Sequence, residues 1–187
     1  IVLGTIIAQM GLGTIYTWSL FNQPLVDAFG WSLSAVATTF SITSFCLAFA
    51  TLFAGRFQER IGIRRLTLFA GLALGLGLMA SAGVSSLMGM YLLMGVVVGF
   101  ADGTAYITTL SNLIKWFPER KGLIAGVSVG AFGTGSLVFK YINSYLIVHV
   151  GVSHAFFYWG LIAMVMIGLG STLLREPPTV TANGKTQ

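Results

Sequence analysis

Gly55-Arg56-Phe57-Gln58-Glu59-Arg60-Ile61-Gly62-Ile63-Arg64-Arg65 places four arginines and one acid between two long apolar runs, 32–54 and 66–83. Each run approaches the roughly 20 mainly apolar residues that a helix needs to cross a bilayer. The rest of the chain repeats this alternation. Of its 187 residues 56% are hydrophobic and 8% charged, whereas a water-soluble domain carries about a quarter charged. Reading apolar runs against polar breaks predicts spans at 1–21, 32–54, 66–83, 88–113, 122–147 and 155–174. The expected fold is an all-α membrane protein, a six-helix transmembrane bundle over residues 1–174. Arg175-Glu176-Pro177-Pro178 then stops the last helix, and 175–187 reads as the start of a polar linker.

The cations decide orientation. Arg56, Arg60, Arg64 and Arg65 lie between the second and third spans, Lys115, Arg120 and Lys121 between the fourth and fifth, and Arg175 and Lys185 after the sixth. Lys140 alone falls on the other side, within or at the end of the fifth span. The positive-inside rule puts the three cation-rich segments and both chain ends in the cytoplasm. The net charge of +5 is thus a topology signal, not a nucleic-acid footprint. Nothing resembles a cleavable signal peptide.

Several function classes drop out. The single cysteine, Cys46, excludes an internal disulfide, and His149 and His154 stand apart from any metal-ligand pattern. No Walker or dinucleotide glycine loop is present, so no cofactor is expected. A membrane-embedded enzyme would need a nucleophile–base pair or a metal cluster within the spans, and none is found.

Glycine repeats every fourth residue at Gly95, Gly99 and Gly103 and again at Gly122, Gly126 and Gly130. Small residues at that spacing form one helix face and let backbones approach closely. Tight packing is the expectation for both stripes.

The loop that opens this section resembles the signature loop of the major facilitator superfamily: Gly55, then Glu59-Arg60, Gly62 and the paired Arg64 and Arg65. Gly55 and Gly62 permit a tight turn, and Glu59 is suited to pair with a cation or cap a helix N-terminus. In that superfamily the loop is a cytoplasmic latch between two six-helix halves. Three features depart from the usual pattern. Glu59 stands where aspartate is common, Lys115 where many members carry an acid, and Gly95 where many proton-coupled members carry arginine. The usual relay through that acid is therefore not implied.

Three further stretches, Gly13–Phe21, Gly99–Tyr106 and Lys115–Gly122, are similar to the oxalate/formate antiporter family, related to the monocarboxylate porters. That resemblance implies secondary active transport of a small carboxylate of the oxalate, formate, pyruvate or lactate class, in a bacterial inner membrane. It also implies a twelve-helix protein with its site between two bundles. This chain would be the N-terminal half, partnered by a C-terminal half of the same protein. The alternatives are a porter for another small solute and a non-transporting scaffold or regulatory protein.

Candidate site residues follow from helical spacing. Gln9, Gly13 and Tyr16 share a face of the first span, and the family resemblance places Tyr16 on the substrate path. Trp18, nearer the outer surface, reads as an interfacial belt residue. In the fourth span Gly95, Gly99, Asp102, Tyr106 and Thr109 share a face. Asp102 lies ~20 Å from the cytoplasmic end by helix rise, where an ionisable group normally faces protein or a water-filled cavity. Tyr16, Tyr106 and Gln9 are the expected substrate contacts. Asp102 and Lys140 are expected in coupling or gating, with a possible ion pair between them. Phe132 and Phe139 read as packing.

Overall fold

The computed structural model describes residues 1–178, and its described residues form helices and connecting turns with no strand. The N-terminal rod is α1 (Val2–Gly13), a 3-10 stretch (Thr14–Trp18) and α2 (Ser19–Phe29), joined without leaving helical backbone angles. It outlasts the expected end at residue 21 because polar residues extend a helix beyond an apolar span. Gln23 donates to Asp27 one turn later at 2.9 Å, an i,i+4 pair that supports the last turns. Gly30, with φ 70°, ends the rod in the left-handed cap conformation that glycine adopts without strain.

Ser32 caps α3 (Leu33–Ile61), accepting from the Ala35 amide at 3.2 Å. At 29 residues α3 is ~43 Å long, well beyond an apolar core of ~30 Å. Gly55, Arg56, Glu59 and Arg60 therefore lie in its last turns and not in a loop. The turn itself rests on one residue, Gly62 (φ 86°, ψ 152°), and α4 (Ile63–Ser81) starts immediately after it.

Ser86 caps α5 (Leu87–Met90), which passes through a π-helical stretch (Tyr91–Val97) into α6 (Val98–Trp116). The wider turn lets the Met94 carbonyl accept from Thr43 Oγ1 of α3 at 3.0 Å, and Tyr91 donates to the Ala35 carbonyl at 2.6 Å. A short 3-10 turn (Pro118–Arg120) leads to α7 (Lys121–Thr172), broken at Gly151 (φ 83°, ψ 164°) into limbs 121–150 and 152–172. Among the described residues, four stretches are long and apolar enough to cross a membrane: Leu33–Ile61, Ile63–Ser81, Leu87–Trp116 and Pro118–Thr172.

α1 packs between the two limbs of α7, α4 packs on the second limb, and α3 packs on α6. The α6 glycine stripe does what its spacing predicts: a Cβ on Gly99 would meet the Thr43 carbonyl oxygen at 2.7 Å, and one on Gly103 would overlap Leu47. The α7 stripe does not. Among the described residues, no other part of the chain lies within 4 Å of a Cβ built at Gly122, Gly126 or Gly130. The face that α7 turns to α1 carries Phe132 and Gly135 instead, whose neighbours are Gly13 and Met10.

The core is strongly aromatic. Phe21 stacks on Phe156 at 4.6 Å and Trp159 at 5.1 Å between ring centroids, and Trp18 stacks on Phe21. Trp18 is 1% exposed, so it is a core residue and not an interfacial anchor. The 3-10 stretch turns its ring inward onto the second limb of α7. Hydrogen bonds between buried side chains tie the same region together, Trp159 to Thr14 and Asn143 to Thr17, both at 2.8 Å.

Beyond α7 the chain docks back on the bundle. The Arg175 carbonyl accepts from Trp116 Nε1 at 2.8 Å and Asn112 Nδ2 at 3.0 Å, and Glu176 accepts from the Ile63 amide at 3.1 Å. The acid that caps a helix N-terminus at the signature segment is therefore Glu176, not Glu59. Lys185 and most of the expected linker, 179–187, lie outside the described residues.

A tyrosine-flanked candidate substrate site

Helix packing brings Gln9 of α1 level with the middle of α6. Its amide nitrogen donates to Thr109 Oγ1 at 2.9 Å and to the Tyr106 carbonyl at 3.2 Å. Because the Tyr106 carbonyl can only accept, the amide orientation is determined. Both Gln9 donors thus serve α6, and its free Oε1 is an acceptor, unsuited to an anion. Gln9 is fully buried and positions Tyr106 from beneath.

Above it three rings meet. Phe132 of α7 stands edge-on to both tyrosines, 5.4 Å from Tyr16 and 5.2 Å from Tyr106 between centroids, an arrangement favoured by the ring quadrupoles. Tyr16 also faces Phe40 of α3 at 6.1 Å. Tyr16 is 56% exposed, with its hydroxyl at an open surface, while Phe132 is 7% exposed and holds the pair. Spacing within single helices identifies both tyrosines and assigns Phe132 to packing. Its role emerges only where α1, α6 and α7 converge, and no spacing within one helix signals it. Phe139, one face away, is packing as expected.

Asp102 is fully buried one turn before Tyr106, between Gly99 and Gly103 where α3 lies closest. Among the described residues, neither carboxylate oxygen has a hydrogen-bond partner. Lys140 does not supply one: it is exposed and lines a separate cavity of about 360 Å³ with Tyr16, Thr17, Ser19, Leu20, Gly133, Ser136 and Leu137. The ion pair between Asp102 and Lys140 is not formed, because α7 turns Phe132, not Lys140, toward the α6 tyrosine.

The signature residues gather at one end of the bundle. Arg64 and Arg65 line a cavity of about 390 Å³ with Gly62, Arg175 and Glu176. Glu59 and Lys115 line another of about 230 Å³ with Gln58, Glu176 and Pro177. Lys115, standing where an acid is common in the superfamily, thus faces a region holding two acids.

Long apolar helices, glycine-mediated crossings and an aromatic opening define a polytopic helical membrane protein. The chain belongs to the Major Facilitator Superfamily, whose family model matches residues 1–187. It is 46% identical over 185 residues to an uncharacterized MFS-type transporter, YhjX, of Escherichia coli, covering 97% of this chain and 46% of that protein. It is 30% identical over 177 residues to an oxalate:formate antiporter of Oxalobacter formigenes, covering 95% of this chain and 42% of the relative. Monocarboxylate transporter 14 of Mus musculus is 24% identical over 176 residues, covering 94% and 33%. These relatives are transporters, not enzymes, and the chain spans less than half the length of each.

Proposed function

We propose that this chain forms one six-span bundle, residues 1–174, of a two-bundle transporter that moves a small carboxylate of the oxalate, formate, pyruvate or lactate class by alternating access. The observation that carries the reading is the tyrosine pair held by Phe132 at an open face of the bundle. Tyr16 and Tyr106 offer aromatic faces for a flat carboxylate group and hydroxyl donors for its oxygens. Gln9 holds Tyr106 in place from below. The named relatives support the substrate class.

The break in α7, which divides one of the four apolar stretches into two limbs, and the N-terminal rod with its 3-10 interlude bring the four stretches to six spans. Arg64, Arg65 and Arg175 line one cavity, and Glu59 and Lys115 another beside the same Glu176. That clustering supports placing the cation-rich end in the cytoplasm, with the protein in a bacterial inner membrane. Residues 175–187 begin the connection to a second six-helix half. The segment containing Gly55, Glu59, Arg60, Gly62, Arg64 and Arg65 latches the halves, and Asp102 acts in coupling or gating.

The test is uptake by the full-length protein in liposomes preloaded with one carboxylate, using labelled oxalate, formate, pyruvate and lactate. Saturable uptake of one acid is expected, falling at least about tenfold in Tyr16→Ala and Tyr106→Ala, the scale of losing one or two ligand hydrogen bonds. Folded protein that takes up none of the four overturns the substrate class. Uptake of an acid that survives both substitutions overturns the site.

A further inference from the structure

Lys140 stands ~28 Å of helix rise from Lys121 along α7, and its side chain enters the cavity between the 3-10 stretch and α7. Four hydroxyl residues line that cavity with it: Tyr16, Thr17, Ser19 and Ser136. Thr17 is already engaged, donating to the Thr14 carbonyl at 2.7 Å and accepting from Asn143 at 2.8 Å. Tyr16, Ser19 and Lys140 are exposed and Ser136 half-buried, and no acid is among the residues that line the cavity. Gly133 keeps the floor clear, with no other segment of the described residues within 4 Å of where its Cβ would stand. A lysine that only snorkels would lie along the apolar outside of α7, beside the exposed Tyr141 and Tyr145. Lys140 instead shares a cavity with solvent-facing hydroxyl donors and no acid, which is the chemistry of an anion receptor.

We propose that Lys140, with the hydroxyls of Tyr16, Ser19 and Ser136, forms a carboxylate subsite next to the tyrosine pair, sharing Tyr16 with it. The subsite deepens the carboxylate reading and rests on it for the identity of the physiological ligand. One ammonium and three neutral donors match a single carboxylate group, whose two oxygens accept about four hydrogen bonds. Lysine is a point charge on a flexible stem and imposes no fixed fork geometry, so the group it holds is readily released.

The experiment reads Lys140 directly. Full-length protein is treated with an amine-acetylating reagent in formate, pyruvate, oxalate or chloride at equal ionic strength, and acetylation at each lysine is followed by mass spectrometry. At least one carboxylate, but not chloride, is expected to slow acetylation of Lys140 while leaving Lys115 and Lys121 unchanged. Tyr16→Phe should raise the half-protecting concentration roughly fivefold, the scale of one neutral hydrogen bond. Lys140→Gln should raise the KM of uptake at least about tenfold, as loss of a charged hydrogen bond does, and Lys140→Arg should restore most of it. Equal acetylation of Lys140 in every anion overturns the subsite, as does an unchanged KM in Lys140→Gln. Uptake on the same preparation separates the two readings. Protection without uptake keeps the subsite and removes the transport reading, and uptake without protection does the reverse.

Discussion

Two glycine stripes of identical spacing behave oppositely. Gly95, Gly99 and Gly103 lie against α3, so close at Gly99 and Gly103 that a methyl group has no room. Gly122, Gly126 and Gly130 lie against no other helix among the described residues. Spacing shows that a helix face is small, and so able to receive a neighbour. It does not show which neighbour, or whether the same chain supplies it. For α6 the partner is α3, whose contacting residues Ile42, Thr43 and Leu47 stand far earlier in the chain. For α7 the inward face is already taken by α1 at Phe132 and Gly135. In the proposed two-bundle protein the open α7 stripe faces the second bundle.

The largest expected effect tests this contrast directly. Gly103→Leu should prevent recovery of folded protein, because the new side chain would collide with α3 backbone at Leu47, an overpacking cost that reaches several kcal/mol. Gly126→Leu should leave the protein folded by thermal unfolding in detergent and still abolish uptake by the full-length protein. If both variants unfold, or both transport, the two stripes are equivalent and the comparison breaks.

The next effect sharpens the account of the inward face of α7. Phe132→Ala should cost about 3 kcal/mol in stability and raise KM more than it lowers the maximal rate, since the two tyrosines lose their common support. Phe139→Ala, equally buried but away from both tyrosines, should cost similar stability and leave KM alone. Matching KM values would show that Phe132 is packing after all.

A smaller effect separates Asp102 from Lys140. Because no ion pair joins them, the losses in Asp102→Asn and Lys140→Ala should combine additively, within about 0.5 kcal/mol of the sum. Rescue of Lys140→Ala by Asp102→Asn would reveal a pair formed elsewhere in the cycle. The smallest expected change is at the signature end. Glu176→Gln should lower stability by less than about 1 kcal/mol, through loss of a charged group at the α4 N-terminus, and Glu59→Gln should leave that helix end unaffected.

Much was legible in the residues alone. Apolar runs and the lack of charge define an all-helical membrane protein, since lipid and water select side chains by composition whatever their partners. The signature segment and its neighbours identify the superfamily, and helical periodicity places Tyr16, Tyr106 and Asp102 on faces of their own helices. What tertiary structure decided is everything that needs two helices at once. Trp18 became core because a 3-10 stretch turned it onto Phe21 and Phe156. Gln9 became a support because both its donors find α6. Glu176 became the helix cap in place of Glu59 because the chain folds back over more than a hundred residues to reach Ile63. Phe132 joined the site, and Lys140 parted from Asp102, because α7 presents one face to α1 and another to the open cavity. Periodicity is a property of one helix and can be read along the chain, whereas contact depends on the rotation and approach of two.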